Sequence, residues 1–312
     1  MVKATEIRQC NERFAKENDV HLVCVFAGAT SGSGAGALEA LFASQRKKLE
    51  KLNPSCKLEF IEAQISLLSD VDTVCKQIAA AETKVDLLYL SPGCIPFGGP
   101  RYTKEGLETC FAISYYSRMR LTYGLLPLLR QSSQPRVLSL LNGGKEKSMF
   151  DDDIGLEKRW SAKAVITHTT TMTSLAFEHL AKGDERITFL HVFPGLVNSG
   201  NFIRVNVADS AGVVWRVMLM IFCRMITAVQ LIFGTTPKEC GERQAYHLTS
   251  DQFRPGAWRI DNSSVVLSAH AGGVFEKYRD SGWPEKIWRH TTAVFDRVLT
   301  APNDRETISI PI

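Results

Sequence analysis

The sequence lacks the features that mark several classes of protein. None of its eight cysteines forms a Cys-x-x-Cys pair, and no histidine spacing matches a zinc site. The formal net charge is only +4, and lysine and arginine are scattered rather than gathered into a nucleic-acid-binding stripe. The first residues do not combine a basic start with an apolar core, so no secretory signal is expected. We therefore expect a cytoplasmic protein with reduced core thiols and no nucleic-acid partner.

Apolar runs of strand length alternate with helical patterns along the 312 residues. The predicted strands are residues 21–27, 57–63, 85–90, 136–141 and 187–193. The predicted helices are residues 5–17, a segment from Ala35, a segment between the second and third strands, and residues 104–130 and 160–182. This alternation predicts an α/β fold with a Rossmann-type, doubly wound parallel sheet. We expect a single domain over residues 1–300 and a disordered tail over 301–312.

A glycine-rich turn directly follows the first predicted strand and precedes a predicted helix. Gly28 allows a tight turn, Gly32 lets a pyrophosphate approach the backbone, and Gly34 lets the helix pack closely on the strand. A lone glycine cluster is weak evidence, but the strand–turn–helix context gives this one a physical role. The turn therefore predicts a dinucleotide site at the start of the helix.

This turn resembles the Thr-Gly-x-x-x-Gly-x-Gly loop of the short-chain dehydrogenase/reductases, with Ala27 in the Thr position. Four more segments are similar to family motifs in the same order. They are residues 90–93 (Asn-Asn-Ala-Gly), 125–129 (the end of the interface helix), 175–178 (the end of the active-site helix) and 194–199 (the Pro-Gly segment beside the nicotinamide). The resemblance covers about residues 20–255 and is greatest to a fungal branch associated with secondary metabolism.

The resemblance implies NADP or NAD as cofactor and a reaction at a carbonyl or hydroxyl group of a hydrophobic secondary metabolite. Carried over position by position, the cofactor-binding residues are Gly28, Thr30, Ser31, Gly32, Gly34, Ser91, Gly93, Pro194, Gly195, Val197 and Ser199. The positions of the family's catalytic Asn, Ser and Tyr fall on Ser114, Asn142 (with Ser139 nearby) and Trp160.

The residues that transfer the proton in the family are replaced. The family Tyr exchanges a proton with the substrate oxygen, and a Lys four residues later lowers its pKa. Trp160 cannot titrate, Ala164 in the Lys position carries no charge, and residues 151–168 contain no Tyr. Two alternatives therefore stand beside the oxidoreductase: a cofactor-independent isomerase, cyclase or dehydratase, and a non-catalytic pseudoenzyme.

Other side chains could supply chemistry, and each also has a structural interpretation. Lys163, His168, Tyr115 and Tyr116 could act as acids or bases, and the acidic run 151–153 could bind a cation. We favour solvent exposure for Lys163, packing for His168, and core or interface positions for the two tyrosines. The acidic run is typical of a loop that caps the next helix.

The spacing after the glycine-rich turn is short. Between the turn and the acidic residue that ends the third strand, the family needs roughly 50 residues for two helices and the second strand. Residues 27–64 are too few, and Gln64 replaces the usual Asp beside the adenine. Either the second strand is lost, or about 15 residues are missing between Ala43 and Leu52.

An apolar helix is predicted over residues 213–233, within a lid region over 205–236. Arg216, Arg224 and Gln230 share one stripe of this helix and leave a wide apolar face. Two arginines near the middle argue against a helix that spans a membrane. Three roles remain open: a lid over a hydrophobic substrate, a peripheral membrane contact, or a homodimer contact.

Overall fold

The structure is a computed structural model. It describes residues 2–17, 22–28, 51, 57–94, 96, 99–197, 217–218, 220–222, 224–226, 228, 234–267 and 273–300. Five predicted features lie at least partly outside the described residues. They are the helix from Ala35, most of the glycine-rich turn, the region that would contain the second strand, parts of the lid region and the 301–312 tail.

Within the described residues, five parallel strands form one sheet, in which their spatial order equals their order along the chain. They are β1 (Cys24–Ala27), β2 (Leu87–Leu90), β3 (Arg136–Leu140), β4 (Thr188–Val192) and β5 (Gly256–Ile260). The Rossmann-type parallel sheet is therefore confirmed, with β1 to β4 inside predicted runs. Because the strands are parallel, their carboxyl ends all lie at one edge of the sheet.

Helices flank the sheet. They are α1 (Ala4–Glu17), α2 (Leu68–Ala81), α3 (Thr109–Phe111), α4 (Ser117–Leu129), α5 (Ala162–Gly183), α6 (Pro237–Thr249), α7 (Val274–Asp280) and α8 (Trp283–Thr300), with a π-helical segment (Ala112–Tyr116) joining α3 to α4. The Ser161 side chain accepts a hydrogen bond from the Ala164 N–H, so α5 begins after Trp160. The predicted helices over 5–17, 104–130 and 160–182 are confirmed within a few residues.

Both faces of the sheet are buried, but by different helices. On one face, Leu138 and Leu190 belong to an apolar cluster with residues of α1 and α6. On the other face, Val137 and Phe189 belong to the larger core cluster, which includes residues of α2, α4, α5 and α8. This two-sided burial explains why β3 and β4 are continuous apolar runs in the sequence.

The predicted strand over residues 57–63 is wrong, because this segment forms no ladder in the structure. Its alternation of polar and apolar residues does match a half-buried extended chain, and Ile61 packs against the core. An alternating pattern reports one-sided burial, which an irregular extended segment satisfies as well as a strand does.

The cysteine prediction needs a correction. The structure pairs Cys94 and Cys110 as a disulfide, with their Cα atoms 5.0 Å apart. Cys75 and Cys240 are buried free thiols as expected, whereas Cys24 is exposed. Cys94 and Cys110 are 16 residues apart in sequence, and the turn after β2 brings them together, which sequence spacing does not reveal.

The described residues between 217 and 228 are helical, and their large apolar side chains are exposed. Val217, Met218, Met220, Ile221, Phe222 and Met225 are each between 45% and 60% exposed. Among the described helices, none is long and apolar enough to cross a bilayer.

Candidate functional site

The turns that follow β1, β2 and β4 carry the described members of the predicted cofactor-binding set. Gly28 has a φ of +81°, and a Cβ at this position would lie 2.6 Å from the Pro92 nitrogen, so the turns after β1 and β2 are in contact. The Ser91 hydroxyl donates to the Ala27 carbonyl at 3.1 Å. Gly195, after β4, has a φ of +76°. Glycine is required at both turns by backbone conformation.

The structure therefore brings one part of the predicted cofactor-binding residues to a single edge of the sheet. The other part cannot be placed. The residues at this edge are Gly28, Ser91, Gly93, Pro194, Gly195 and Val197. Thr30, Ser31, Gly32, Gly34 and Ser199 lie outside the described residues. In open α/β sheets, ligands bind at this edge, outside the carboxyl ends of the strands.

A buried arginine lies beneath this edge. The Arg118 guanidinium, on α4, has no exposed surface. It donates to the carbonyls of Leu90, Pro92 and Leu140 and, at 2.6 Å, to the Ser139 hydroxyl. Burial lowers its pKa to about 9, so it stays charged at neutral pH. Arg118 thus joins the carboxyl ends of β2 and β3.

Two predicted catalytic positions hold the backbone in place. Ser139 is fully buried and accepts from Arg118. Ser114 is 3% exposed, and its hydroxyl accepts from the Cys94 N–H at 3.4 Å. Both side chains are buried, and these hydrogen bonds join them to other protein groups.

Asn142 lies at the carboxyl edge, just after β3, and a buried polar chain runs behind it. Its N–H donates to His191 Nε2 at 3.3 Å, and His191 Nδ1 lies 2.7 Å from the Ser174 hydroxyl. Ser174 in turn donates to Glu146 Oε1 at 2.6 Å. Glu146 Oε1 also accepts from the Gly144 N–H at 2.9 Å. The chain therefore fixes the 142–144 turn from below.

The charge of Glu146 is balanced by Arg259 on β5. Arg259 contacts Glu146 at 3.3 Å and Glu276 at 2.9 Å, and all three side chains are largely buried. Burial, with the positive charges of Arg118 and Arg259, lowers the pKa of His191 to about 3. His191 is therefore a neutral hydrogen-bonding group at physiological pH, and its low pKa, its burial and the Asn142 N–H on its Nε2 make it a poor general base.

The Asn142 side chain contacts the middle of α5. Its side-chain amide donates to the Thr170 hydroxyl at 3.3 Å, in the middle of α5. Trp160 precedes α5 and packs against the core, and its buried indole Nε1 has no hydrogen-bond partner. Within the described part of the chain, no hydrogen bond joins Trp160 to Asn142, Ser139 or Ser114.

The other candidate acids and bases have structural roles. His168 Nε2 accepts from the Phe150 N–H at 3.0 Å while Nδ1 lies 3.0 Å from the Ile154 carbonyl, and burial lowers the His168 pKa. Tyr115 and Tyr116 are buried, and burial raises the pKa of both phenols. Their hydroxyls bond Thr291 and His290 of α8.

Lys163 is exposed, as predicted. Asp153 accepts hydrogen bonds from three successive N–H groups, at residues 157–159, so it organises the loop before α5. Among the residues that the structure describes, no cluster of His, Cys, Asp and Glu could hold a metal ion. The loop with the acidic run 151–153 does not cap α5 as predicted, because Ser161 is the cap and the buried Asp153 binds the backbone of residues 157–159.

Sequence reasoning missed four residues of this edge: Arg118, Lys145, Glu146 and His191. Lys145 lies on the turn after Asn142, and its ammonium is 5.2 Å from the centre of the Phe193 ring. One signal was available, because Arg118 and His191 are charged or titratable residues inside segments otherwise predicted to be buried. Such residues are uncommon in a core without a specific reason.

The ends of the lid region are fixed at the same edge. Val197 and Thr235 form a parallel bridge, and the Thr235 N–H donates to the Leu196 carbonyl at 2.8 Å. The residues that flank the segment 198–234 therefore lie beside each other, close in sequence to Pro194 and Gly195.

Solved structures agree with this architecture. A short-chain dehydrogenase from Streptomyces avermitilis has a TM-score of 0.52 at 19% identity, covering 89% of this chain and 100% of that one. A protein from Mycobacterium paratuberculosis has a TM-score of 0.56 at 15% identity, covering 88% and 93%. These similarities show that the fold is of the dehydrogenase type.

Curated relatives define the family. The oxidoreductase lepF of Aspergillus flavus is 33% identical, covering 96% of this chain and 98% of the relative. An oxidoreductase of Emericella nidulans is 31% identical over 89% of this chain, and the short-chain dehydrogenase/reductase SAT2 of Stachybotrys chartarum is 28% identical over 89%. No family model matches the sequence. The chain belongs to the short-chain dehydrogenase/reductase family, among its fungal oxidoreductases.

The alignment with the Aspergillus flavus protein spans 357 positions, which is more than the 312 residues of this chain. The relative therefore has residues at positions where this chain has none.

Proposed function

We propose that this protein binds a nicotinamide dinucleotide, NADP or NAD, and acts as an oxidoreductase on a carbonyl or hydroxyl group of a hydrophobic secondary metabolite. One observation carries the proposal: the described cofactor-motif residues meet at the carboxyl edge of a parallel sheet in a chain of this family. That edge is where open α/β sheets bind ligands.

The described residues fit such a cofactor. Gly93 leaves open space at the edge, because an added Cβ would meet only Arg118 and Ser91, at 3.7 and 3.9 Å. The buried cation of Arg118 beneath the edge suits an anionic ligand. Gly28, Gly93 and Gly195 would hold the dinucleotide, which supplies the hydride acceptor or donor when it is bound.

The proton must come from a group other than the family Tyr and Lys. Lys145 is exposed at the candidate site, on the turn fixed by Glu146, and its side chain lies over Phe193. An ammonium group there can give a proton to a substrate oxygen as negative charge develops on it. We assign this role to Lys145, with Asn142 orienting the turn.

The segment 198–234 would cover the substrate. Because both of its ends are fixed beside Gly195, it starts and finishes at the candidate site. Its described side chains, such as Met218 and Phe222, are apolar and exposed, which suits a lid over a hydrophobic substrate. These apolar side chains could instead contact a membrane surface or a second copy of the chain. Co-sedimentation with vesicles would reveal the membrane contact, and the oligomeric mass would reveal the second copy.

The replacement of the family's Tyr and Lys by Trp160 and Ala164 favours a second candidate function. Trp160 supplies no titratable group, and Asn142 contacts Thr170 instead. A cofactor-independent isomerase, cyclase or dehydratase, or a pseudoenzyme, would need none of the family's proton-transfer residues.

Fluorescence titration with NADPH and NADH separates these functions. Gly93→Leu places a large side chain at the edge, whereas Gly183→Leu, at the end of α5 where nothing lies within 4 Å, is a matched control. We expect saturable binding by the wild type and Gly183→Leu, and at least about tenfold weaker binding by Gly93→Leu. Saturable binding that Gly93→Leu leaves unchanged would place the cofactor elsewhere.

A further inference from the structure

Arg118 is the largest of the fully buried side chains, yet its recorded hydrogen-bond acceptors are all neutral. Within the described part of the chain, no carboxylate forms an ion pair with it. Buried charges in proteins are normally paired, because an isolated ion in a low-dielectric interior is costly. Among the residues that the structure describes, the guanidinium therefore has no counter-charge.

A second buried arginine shows what is unusual about Arg118. Arg136 begins β3, so it lies at the amino edge of the sheet, where it donates to the carbonyls of His247 and Ser250. It has the negative charge of Asp251 nearby, which favours its charged form. For Arg118 the corresponding neighbour is Tyr89, a phenol that is neutral at physiological pH.

The unpaired charge lies where a ligand would bind. The acceptors of Arg118 are at the carboxyl ends of β2 and β3, and its Nη2 is 3.7 Å from the place where a Cβ of Gly93 would be. An anion bound against this turn would face the guanidinium across the backbone of residues 90–93, to which Arg118 donates. The missing counter-charge thus falls at the candidate cofactor site.

We propose that Arg118 is an electrostatic positioning residue whose counter-charge is the pyrophosphate of the bound dinucleotide. The inference rests on the proposed function, because it deepens how the same site holds its ligand. It predicts that the charge of Arg118, more than its hydrogen bonds, determines affinity. If Arg118 only tethered the ends of β2 and β3, ligand affinity would depend on its hydrogen bonds and not on its charge.

The test uses Arg118→Lys, which keeps a cation but loses most of the hydrogen bonds, and Arg118→Met, which keeps neither. Arg136→Lys and Arg136→Met are the matched controls at the opposite edge. The probes are ADP-ribose, which has the pyrophosphate but no nicotinamide, and whichever of NADH and NADPH the wild type binds. Circular dichroism checks the fold of each variant.

We expect Arg118→Met to bind both probes about tenfold more weakly or worse, the size of one charge pair within about 10 Å at an effective dielectric near 20. Arg118→Lys should bind within a few fold of the wild type at pH 7. Arg136→Lys and Arg136→Met should bind like the wild type. Equal losses in Arg118→Lys and Arg118→Met would overturn the inference in favour of a tether.

A pH profile tests the charge itself and decides the matter even when Arg118→Met does not fold. A buried lysine has a lower pKa than a buried arginine, so Arg118→Lys should lose affinity as pH rises from 6 to 8, whereas the wild type, in which the pKa of Arg118 is about 9, should lose little. The titratable neighbours of Arg118 are Tyr89 and His191, whose pKa values of about 12 and about 3 lie outside this range. A flat profile for a folded Arg118→Lys would contradict the inference.

Failure of the proposed function has a different signature. A wild type that binds neither ADP-ribose nor a nicotinamide dinucleotide refutes the cofactor and, with it, this role of Arg118. A wild type that binds both while Arg118→Met does so equally well refutes only the role of Arg118.

Discussion

Glu146 provides a direct test of how the candidate site is held. Its carboxylate is 3% exposed and accepts from the Gly144 N–H and the Ser174 hydroxyl while contacting Arg259. Glu146→Ala leaves these donors without their acceptor. Removing one partner of a buried ion pair costs about 3–5 kcal/mol. Because Arg259 keeps Glu276, we expect a loss near the lower end, about 3 kcal/mol.

Glu146→Gln separates charge from hydrogen bonding. The amide oxygen can still accept from Gly144 and Ser174, so only the ion pair with Arg259 is lost. We expect a smaller loss of about 1–2 kcal/mol. Urea unfolding, followed by circular dichroism, measures both values.

The surface ion pair of Glu157 with Arg297 is the control, because both side chains are more than half exposed. Glu157→Ala should cost less than about 1 kcal/mol. The reasoning fails if Glu146→Ala is no more destabilising than Glu157→Ala.

Three further predictions concern stability and the thiols. Burial lowers the pKa of three histidines, to about 3 for His191 and His247 and about 4 for His290. An unfolded histidine binds its proton near pH 6.5, so the free energy of unfolding should be retained above that pH and fall below it. The slope should approach about 1.4 kcal/mol per pH unit for each histidine, and equal urea midpoints at pH 7 and pH 5 would be inconsistent with neutral buried rings. Gly143→Ala should unfold at a clearly lower urea concentration, because the new Cβ would lie 2.0 Å from the His191 carbonyl oxygen, whereas Gly241→Ala, with nothing within 4 Å, should not. The pairing of Cys94 with Cys110 predicts that denatured protein shows two fewer free thiols without reductant than with it, and equal thiol counts would refute it.

Much of the sheet could be predicted because its strands are buried on both faces. The segments that became β3 and β4 contain only apolar or small side chains, apart from Arg136 and His191, and no exposed helix would tolerate that pattern. The glycine-rich turn gave the first strand its position. By contrast, β5 (Gly256–Ile260) includes Arg259, and most of its residues are only half-buried. Its sequence therefore has no continuous apolar run, and its pairing with β4 depends on tertiary contacts.

The glycine turns of the candidate site could be predicted from the sequence, but the contacts among its side chains could not. Glycine turns follow from local conformation, which sequence reports, and Gly28 and Gly195 have the positive φ that their motifs imply. The chain from Glu146 through Ser174 to His191 joins residues 28 and 17 positions apart, and the hydrogen bonds of Arg118 join three elements. Such contacts depend on topology, so local patterns carry no record of them.

The most direct test of the central claim is calorimetric titration of the wild-type protein with NADPH and NADH. We predict saturable binding of at least one of them, with one site per chain. The absence of saturable heat for both, from protein whose circular dichroism shows the intact α/β fold, would contradict the claim that this family member still uses a nicotinamide dinucleotide.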